Sequence, residues 1–333
     1  MLQSLHGAMV LGLHLPDGLL TVPVALAWWV IAAGTVGYAV YRVREEQPDV
    51  AMMGILAACI FAGQMLNVTV LHGTSGHLLG GAMAAMLLGP WAGMLVVAAV
   101  VALQALLFQD GGILVLGANI FNMGVVTALL GYGVAKPLLQ RTQQHAWGIS
   151  LAGFVAGWVS VMAAAALTSL QLALSGVVEA ALVFPAMLGV HAAIGILEGS
   201  ITMLTLLLLT AFWPQHVPGL ASPMGEEIQI AGGMRPSKVA LGGIVLALTL
   251  TILAPLASPH PDGLERVAED QGFLEYALDA PFAILPDYTI PGIDSPLSTI
   301  LAGTIGVLLI PALLVGLLWL TGTGRRQRGQ DVV

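Results

Sequence analysis

The sequence predicts an all-α polytopic membrane protein: a seven-helix module followed by a two-helix module, with about nine transmembrane spans. Three observations predict it. Of the 333 residues, 8% are charged and 58% hydrophobic, against roughly 25% charged in an average soluble domain. A soluble chain of this length could not cover its surface with so few charges. Mean hydropathy is +0.93. Apolar stretches also repeatedly approach the ~20 residues that a helix needs to cross a bilayer.

Those stretches lie at about 22–41, 51–68, 76–89, 90–108, 117–136, 147–174, 184–213, 239–257 and 297–320. The third is short for a crossing, and Gly89-Pro90 predicts a tight hairpin between it and the fourth. Gln64, Asn67, Asn119 and Asn122 put amides at membrane depth, where such groups face a bundle interior rather than lipid. The first seven spans end near Trp213. Residues 214–238, rich in proline, read as a cytoplasmic linker; 239–321 form the second module, and 322–333 a basic tail. With nine spans and the N-terminus outside, nine of the ten basic residues fall on the cytoplasmic side and only Arg266 lies outside. The outer loop 258–296 carries eight acids against that one arginine.

Several chemistries are excluded. A net charge of −8 leaves no polybasic surface for nucleic acid. The single cysteine, Cys59, supports neither a disulfide framework nor a thiolate cluster. Neither lysine closes a GxxxxGK[ST] loop, so the chain cannot bind ATP through a P-loop, and there is no HExxH pair.

The polar sequences on the outer face are the candidate site. His14-Leu15-Pro16-Asp17-Gly18 precedes the first span; Pro16 restrains the backbone on both sides and Asp17-Gly18 is a turn pair. Leu71-His72-Gly73-Thr74-Ser75-Gly76-His77 precedes the third, with Thr74 or Ser75 placed to cap the next helix. Each histidine alone reads equally as a cap or structural residue; together, on one face, they are candidate metal ligands. Phe108-Gln109-Asp110-Gly111-Gly112 reads as a plain turn. His191 and Glu198, on one face of span seven, read either as a functional pair or as helix anchors. His145 and His216 read as interfacial residues, His260 belongs to the acidic loop and His6 to the N-terminal segment.

These motifs resemble those of the CbiM/NikM family, the substrate-capture (S) components of energy-coupling factor transporters for cobalt and nickel. The resemblance rests on His14-Leu15-Pro16-Asp17-Gly18, Gln64-Met65-Leu66-Asn67, the run from Gly73 to Gly81, Leu88-Gly89-Pro90-Trp91, the run from Gln104 to Gly112, and the run from Gly117 to Gly124. It covers about residues 13–213. Ser258-Pro259-His260-Pro261-Asp262-Gly263-Leu264-Glu265-Arg266-Val267-Ala268-Glu269-Asp270 is similar to the PDGLE signature of the small CbiN/NikN partner, with a second stretch, Pro286-Asp287-Tyr288, before Ser295 and the final span. The chain thus resembles a fusion of the two.

The resemblance implies a cobalt or nickel ion held by nitrogen ligands near the outer face. His14 would supply imidazole and amide, and His77 a second imidazole. Leu13 would add its amine only if the N-terminus is trimmed. Residues 1–12 therefore read as an extension that is removed or that precedes the true start, or else the ligand set differs; His72 reads either as a replacement ligand or as an exposed loop histidine. Asp17, Gln64, Asn67, Thr74, Ser75 and Asn119 stand as supporting residues. The chain is then no enzyme and needs no resident cofactor; Ni(II) or Co(II) is its cargo. The implied partners are membrane lipid, a transmembrane coupling (T) protein and ABC-type ATPase subunits in a bacterial cytoplasmic membrane. Ala25, Ala32 and Ala33 would offer a small-residue face to the coupling protein. A self-sufficient divalent metal channel or carrier, and an intramembrane enzyme built on His191/Glu198, are the alternatives.

Overall fold

The computed structural model describes residues 13–71, 73–142, 145–212 and 236–320. Residues 1–12 (His6 among them), His72, 213–235 with His216, and the tail from 321 lie outside the described residues.

The chain is built almost wholly of helices. α1 (Val22–Glu46) and α2 (Val50–Gln64) are followed by a short hairpin, β1 (Val68–Leu71) and β2 (Thr74–Gly76). Next come α3 (Gly81–Leu88), α4 (Pro90–Phe108), α5 (Leu116–Arg141), α6 (Ala146–Leu174) and α7 (Ala180–Phe212). The second module contributes α8 (Pro236–Leu253), the small outer helix α9 (Gly263–Gln271) and α10 (Pro296–Leu320). Among the described residues six helices, α1, α4, α5, α6, α7 and α10, are long and apolar enough to cross a bilayer, and two shorter apolar ones accompany them. The protein is a multi-pass membrane protein.

Two expected boundaries change. The second apolar stretch stops being helical at Gln64, because Val68-Thr69-Val70 is a β-branched run that pairs across the Gly73 turn, Val68 opposite Gly76 and Thr69 opposite Ser75. The fold is thus not purely α. The third stretch becomes helical only at Gly81, and its eight residues rise about 12 Å, too little to cross alone. Residues 77–80 before it are neither helix nor strand yet buried, and Gly80 turns the chain into α3 with φ at +78°. Non-helical backbone is tolerated at such depth only where protein groups satisfy it, and spans on either side do so. Glu198 on α7 accepts from the Leu79 and Gly80 amides at 2.7 and 2.9 Å, and Gln64 Nε2 donates to the Leu79 carbonyl at 2.9 Å. The expected capping of α3 by Thr74 or Ser75 is absent: its N-cap is Gly80, while Ser75 Oγ donates to the His260 carbonyl at 2.8 Å.

Of the remaining amides, Asn122 is satisfied inside the bundle, whereas Asn67 Oδ1 is buried without a hydrogen-bond partner. Asn122 pairs amide to amide with Gln171, at 2.7 and 2.8 Å, and donates to Thr168, tying α5 to α6. α6 and α7 run so close that a Cβ on Gly157 would stand 2.8 Å from the Gly199 Cα, the small-residue contact typical of membrane bundles. Ala25 and Ala32 are buried inside the bundle, so only Ala33 of the three expected partner-facing alanines is exposed. Intramolecular packing claims the other two.

The second module is packed onto the first. α2 meets α10 at Gly54, where a Cβ would lie 3.2 Å from that of Pro311, and meets α8 at Cys59, whose Sγ lies 3.3 Å from the Gly243 carbonyl. α9 is capped by Asp262, whose carboxylate accepts from the Glu265 amide at 3.0 Å. Its Leu264, Val267 and Ala268 are buried, at the spacing of one helical face, while Glu269 and Asp270 stay outside.

Candidate metal centre

The site begins with the short segment before α1. Asn119 on α5 clamps Leu15 from both sides: its Oδ1 accepts from the Leu15 amide at 2.8 Å, and its Nδ2 donates to the Leu15 carbonyl at 3.0 Å. The Asp17 carboxylate accepts from the Ile113 and Val115 amides at 3.1 and 3.2 Å. These bonds stitch the His14 segment to the loop joining α4 to α5. Gly111, with φ at +97°, allows the close approach; a Cβ there would lie 3.2 Å from that of His14.

His14, 1% exposed, is thereby held beside His77, 5% exposed. The two rings stack with centroids 5.8 Å apart and planes 18° from parallel. His77 Nδ1 lies 2.8 Å from the Leu78 carbonyl, which fixes it as the donor and leaves Nε2 with its lone pair.

The loop after α4 is more than a plain turn. Asp110, at its centre, accepts from His14 Nδ1 at 2.7 Å through Oδ1, and from the Tyr288 hydroxyl at 2.6 Å through Oδ2. Burial alone would raise the Asp110 carboxyl; the His14 ring bonded to it, with the Tyr288 hydroxyl, outweighs burial and holds it below the ordinary value. His14 Nε2 is buried and has no hydrogen-bond partner. A small cavity of about 10 Å³ lies alongside, lined by Leu13, His77, His191 and Asp262 among others.

The expected supporting residues sort by what they hold. Asp17 and Asn119 position His14; Gln64 positions the backbone after His77. Asn67 accepts the Ser258 amide through its carbonyl at 2.8 Å, and Ser75 accepts no metal-facing role but donates to the second module. Thr74 is a buried strand residue of β2. His72 lies outside the described residues. His191 and Glu198 are each engaged with backbone groups rather than with one another. His191 Nδ1 is bonded to the Met187 carbonyl, and both Glu198 oxygens are taken by backbone amides. Among the described residues no group of three or more His, Cys, Asp or Glu side chains clusters as a metal site, so the histidine pair stands with backbone and second-sphere groups only.

The second module roofs this centre. The Ser75 amide donates to the Pro261 carbonyl at 2.8 Å, the Leu278 amide to the Asp17 carbonyl at 2.7 Å, and Gly263 packs against His191. Asp262 is buried in the roof, which holds its carboxyl well above the usual range, more than the α9 amides lower it; the Glu265 and Asp110 carboxylates add to the rise. An acid whose folded pKa exceeds its unfolded value loses stability as pH rises between the two. Asp262→Asn keeps the cap but removes this cost. In metal-free protein it should therefore raise the melting temperature by about 3 °C at pH 7.5, with the gap closing as pH falls toward 4. A gap that is equal at every pH would contradict the assignment.

Comparisons with known proteins agree with this geometry. Residues 14–216 match the family described as cobalt uptake substrate-specific transmembrane region (CbiM), and residues 237–323 match the PDGLE domain. The chain is 34% identical over 306 residues to a putative fused nickel transport protein NikMN of Archaeoglobus fulgidus, covering 90% of this chain and 96% of that one. It is 28% identical to a probable fused nickel transport protein LarMN of Lactiplantibacillus plantarum, over 94% of this chain and 100% of the relative. It is 34% identical to the cobalt transport protein CbiM of Sorangium cellulosum, over 74% of this chain and all of that one. A crystal structure of a transition metal transporter superposes with a TM-score of 0.54 at 31% identity, covering 60% of this chain and 92% of that chain. With its buried histidine pair, its helical bundle and the PDGLE roof packed on it, this chain belongs to the CbiM family of cobalt and nickel transport proteins, joined to a PDGLE domain.

Proposed function

We propose that the chain is the metal-capture component of an ATP-driven energy-coupling factor importer for cobalt or nickel ions, with His14 and His77 as its imidazole ligands. The observation that carries the reading is their meeting. Two histidines from distant segments stack at 5.8 Å, each with Nδ1 engaged by an oxygen and Nε2 left to coordinate. A chelate through a residue's own amide and imidazole closes through Nδ1; in His14 that atom is held by Asp110, which favours Nε2 as its donor. Neutral imidazoles suit Ni(II) and Co(II). A chain beginning at Leu13 would add a terminal amine, since Leu13 lines the adjoining cavity.

The sequence offers no P-loop, so energy is supplied by separate coupling and ABC-type ATPase subunits. We place the protein in a bacterial cytoplasmic membrane with its N-terminus outside and C-terminus inside. The third passage would be made partly by non-helical chain, residues 77–80 leading into the eight-residue α3. The test is uptake of radioactive nickel and cobalt by cells expressing this chain with and without its coupling and ATPase subunits. Uptake is expected only with all of them. Full uptake by the chain alone would favour a self-sufficient carrier.

A further inference from the structure

We infer that Tyr288, carried by the PDGLE module, is a positioning residue for the metal site of the other module: its hydroxyl fixes Asp110, and Asp110 fixes the His14 imidazole. This inference rests on reading His14 as a metal ligand.

The direction of each hydrogen bond is determined. Gln104 Nε2 donates to the Tyr288 oxygen at 3.0 Å, so the single phenolic hydrogen is free to go to Asp110 Oδ2, 2.6 Å away. Asp110 Oδ1 then accepts from His14 Nδ1 at 2.7 Å. The proton is thereby kept on Nδ1, and the lone pair on the buried, unpartnered Nε2. Carboxylates that hold a ligating histidine by its other nitrogen set both tautomer and ring orientation. Here that carboxylate is itself held by a residue of the second module.

The backbone around Tyr288 is shaped to this end. Asp287 and Tyr288 both lie in the left-handed region, with φ of +50° and +56°, where non-glycine residues are uncommon and which surrounding structure must enforce. Enforcement is visible on both sides: the Leu285 amide donates to the Leu107 carbonyl at 3.0 Å, and the Ile290 amide to Ser298 Oγ at 2.6 Å. The turned ring stacks on Phe108, with centroids 4.7 Å apart, and packs beside Phe61. Removing the hydroxyl alone leaves that packing in place.

The test titrates Ni2+ into the purified full-length chain in detergent. Tyr288→Phe should lower Ni2+ affinity about tenfold. Because it strips Asp110 Oδ2 and Gln104 Nε2 of their buried partner, it should also lower the melting temperature of the metal-free protein by a few degrees, so affinity is compared well below both melting points. The visible absorption of bound Co2+ should shift, since the His14 ring is less constrained. Asp110→Asn should weaken binding at least as much, and in that background Tyr288→Phe should add little, because both act through one chain of bonds. If the wild-type chain binds no Ni2+, or His14→Ala binds as tightly as wild type, the reading of the site itself fails. If wild type binds and His14→Ala does not, yet Tyr288→Phe matches wild type or adds its whole loss to Asp110→Asn, the reading stands and this inference is overturned.

Discussion

His77→Ala should lower Ni2+ or Co2+ affinity at least a hundredfold, an effect on the order of 3 kcal/mol or more. The ring is almost fully buried, its Nδ1 is anchored on the Leu78 carbonyl, and its face is stacked on that of His14. Alanine removes one of two imidazole donors, and among the described residues no cluster of acids or thiols stands ready to replace it. The fold should survive, because the backbone after His77 is held by Glu198 and Gln64 rather than by the ring. Isothermal titration in detergent checks this, with His145→Ala as the control. His145 is an exposed residue at the start of α6, and its replacement should change nothing. Undiminished affinity in His77→Ala would remove that residue from the ligand set.

Glu198→Ala should instead act on the fold, with metal binding lost as a consequence. Its two oxygens satisfy two amides in the buried non-helical segment between His77 and α3. An unsatisfied buried amide costs roughly 1–3 kcal/mol, so losing both partners costs roughly twice that and frees the segment that carries His77. Melting temperature should fall sharply. Glu198→Gln, which still accepts one of the two bonds, should fall by about half as much. Wild-type melting behaviour in Glu198→Ala would show that the segment is secured by something else. A loss of metal binding with no loss of stability would point to a direct role for the carboxylate.

Much of the site was legible because its local sequence left few alternatives. Pro16 and Asp17-Gly18 restrict the backbone after His14, and the small residues from Gly73 to Gly76 let the second histidine loop pack closely. Asp110 was not legible as a partner. An aspartate before two glycines is fully explained as a turn, and only the contact of Gly111 with His14 shows why glycine stands there. Pro286-Asp287-Tyr288 stood out only as a second stretch of the PDGLE resemblance; the role of Tyr288 did not, since its orientation depends on two consecutive left-handed residues that neither glycine nor asparagine announces. The transmembrane pattern was read correctly where helices are long. It overran where the second helix stops: the stretch expected to reach 68 ends as helix at Gln64, and Val68 already pairs as a strand. Glu198 allowed two readings from sequence, and its bonds to the Leu79 and Gly80 amides decide for anchoring.

The central claim is that one cobalt or nickel ion is coordinated jointly by His14 and His77. X-ray absorption spectroscopy of the nickel-loaded full-length chain measures this directly, because imidazole rings give a characteristic multiple-scattering pattern. The account predicts two imidazoles in wild type and one fewer in whatever metal His14→Ala or His77→Ala retains. An imidazole count unchanged in both variants would contradict it.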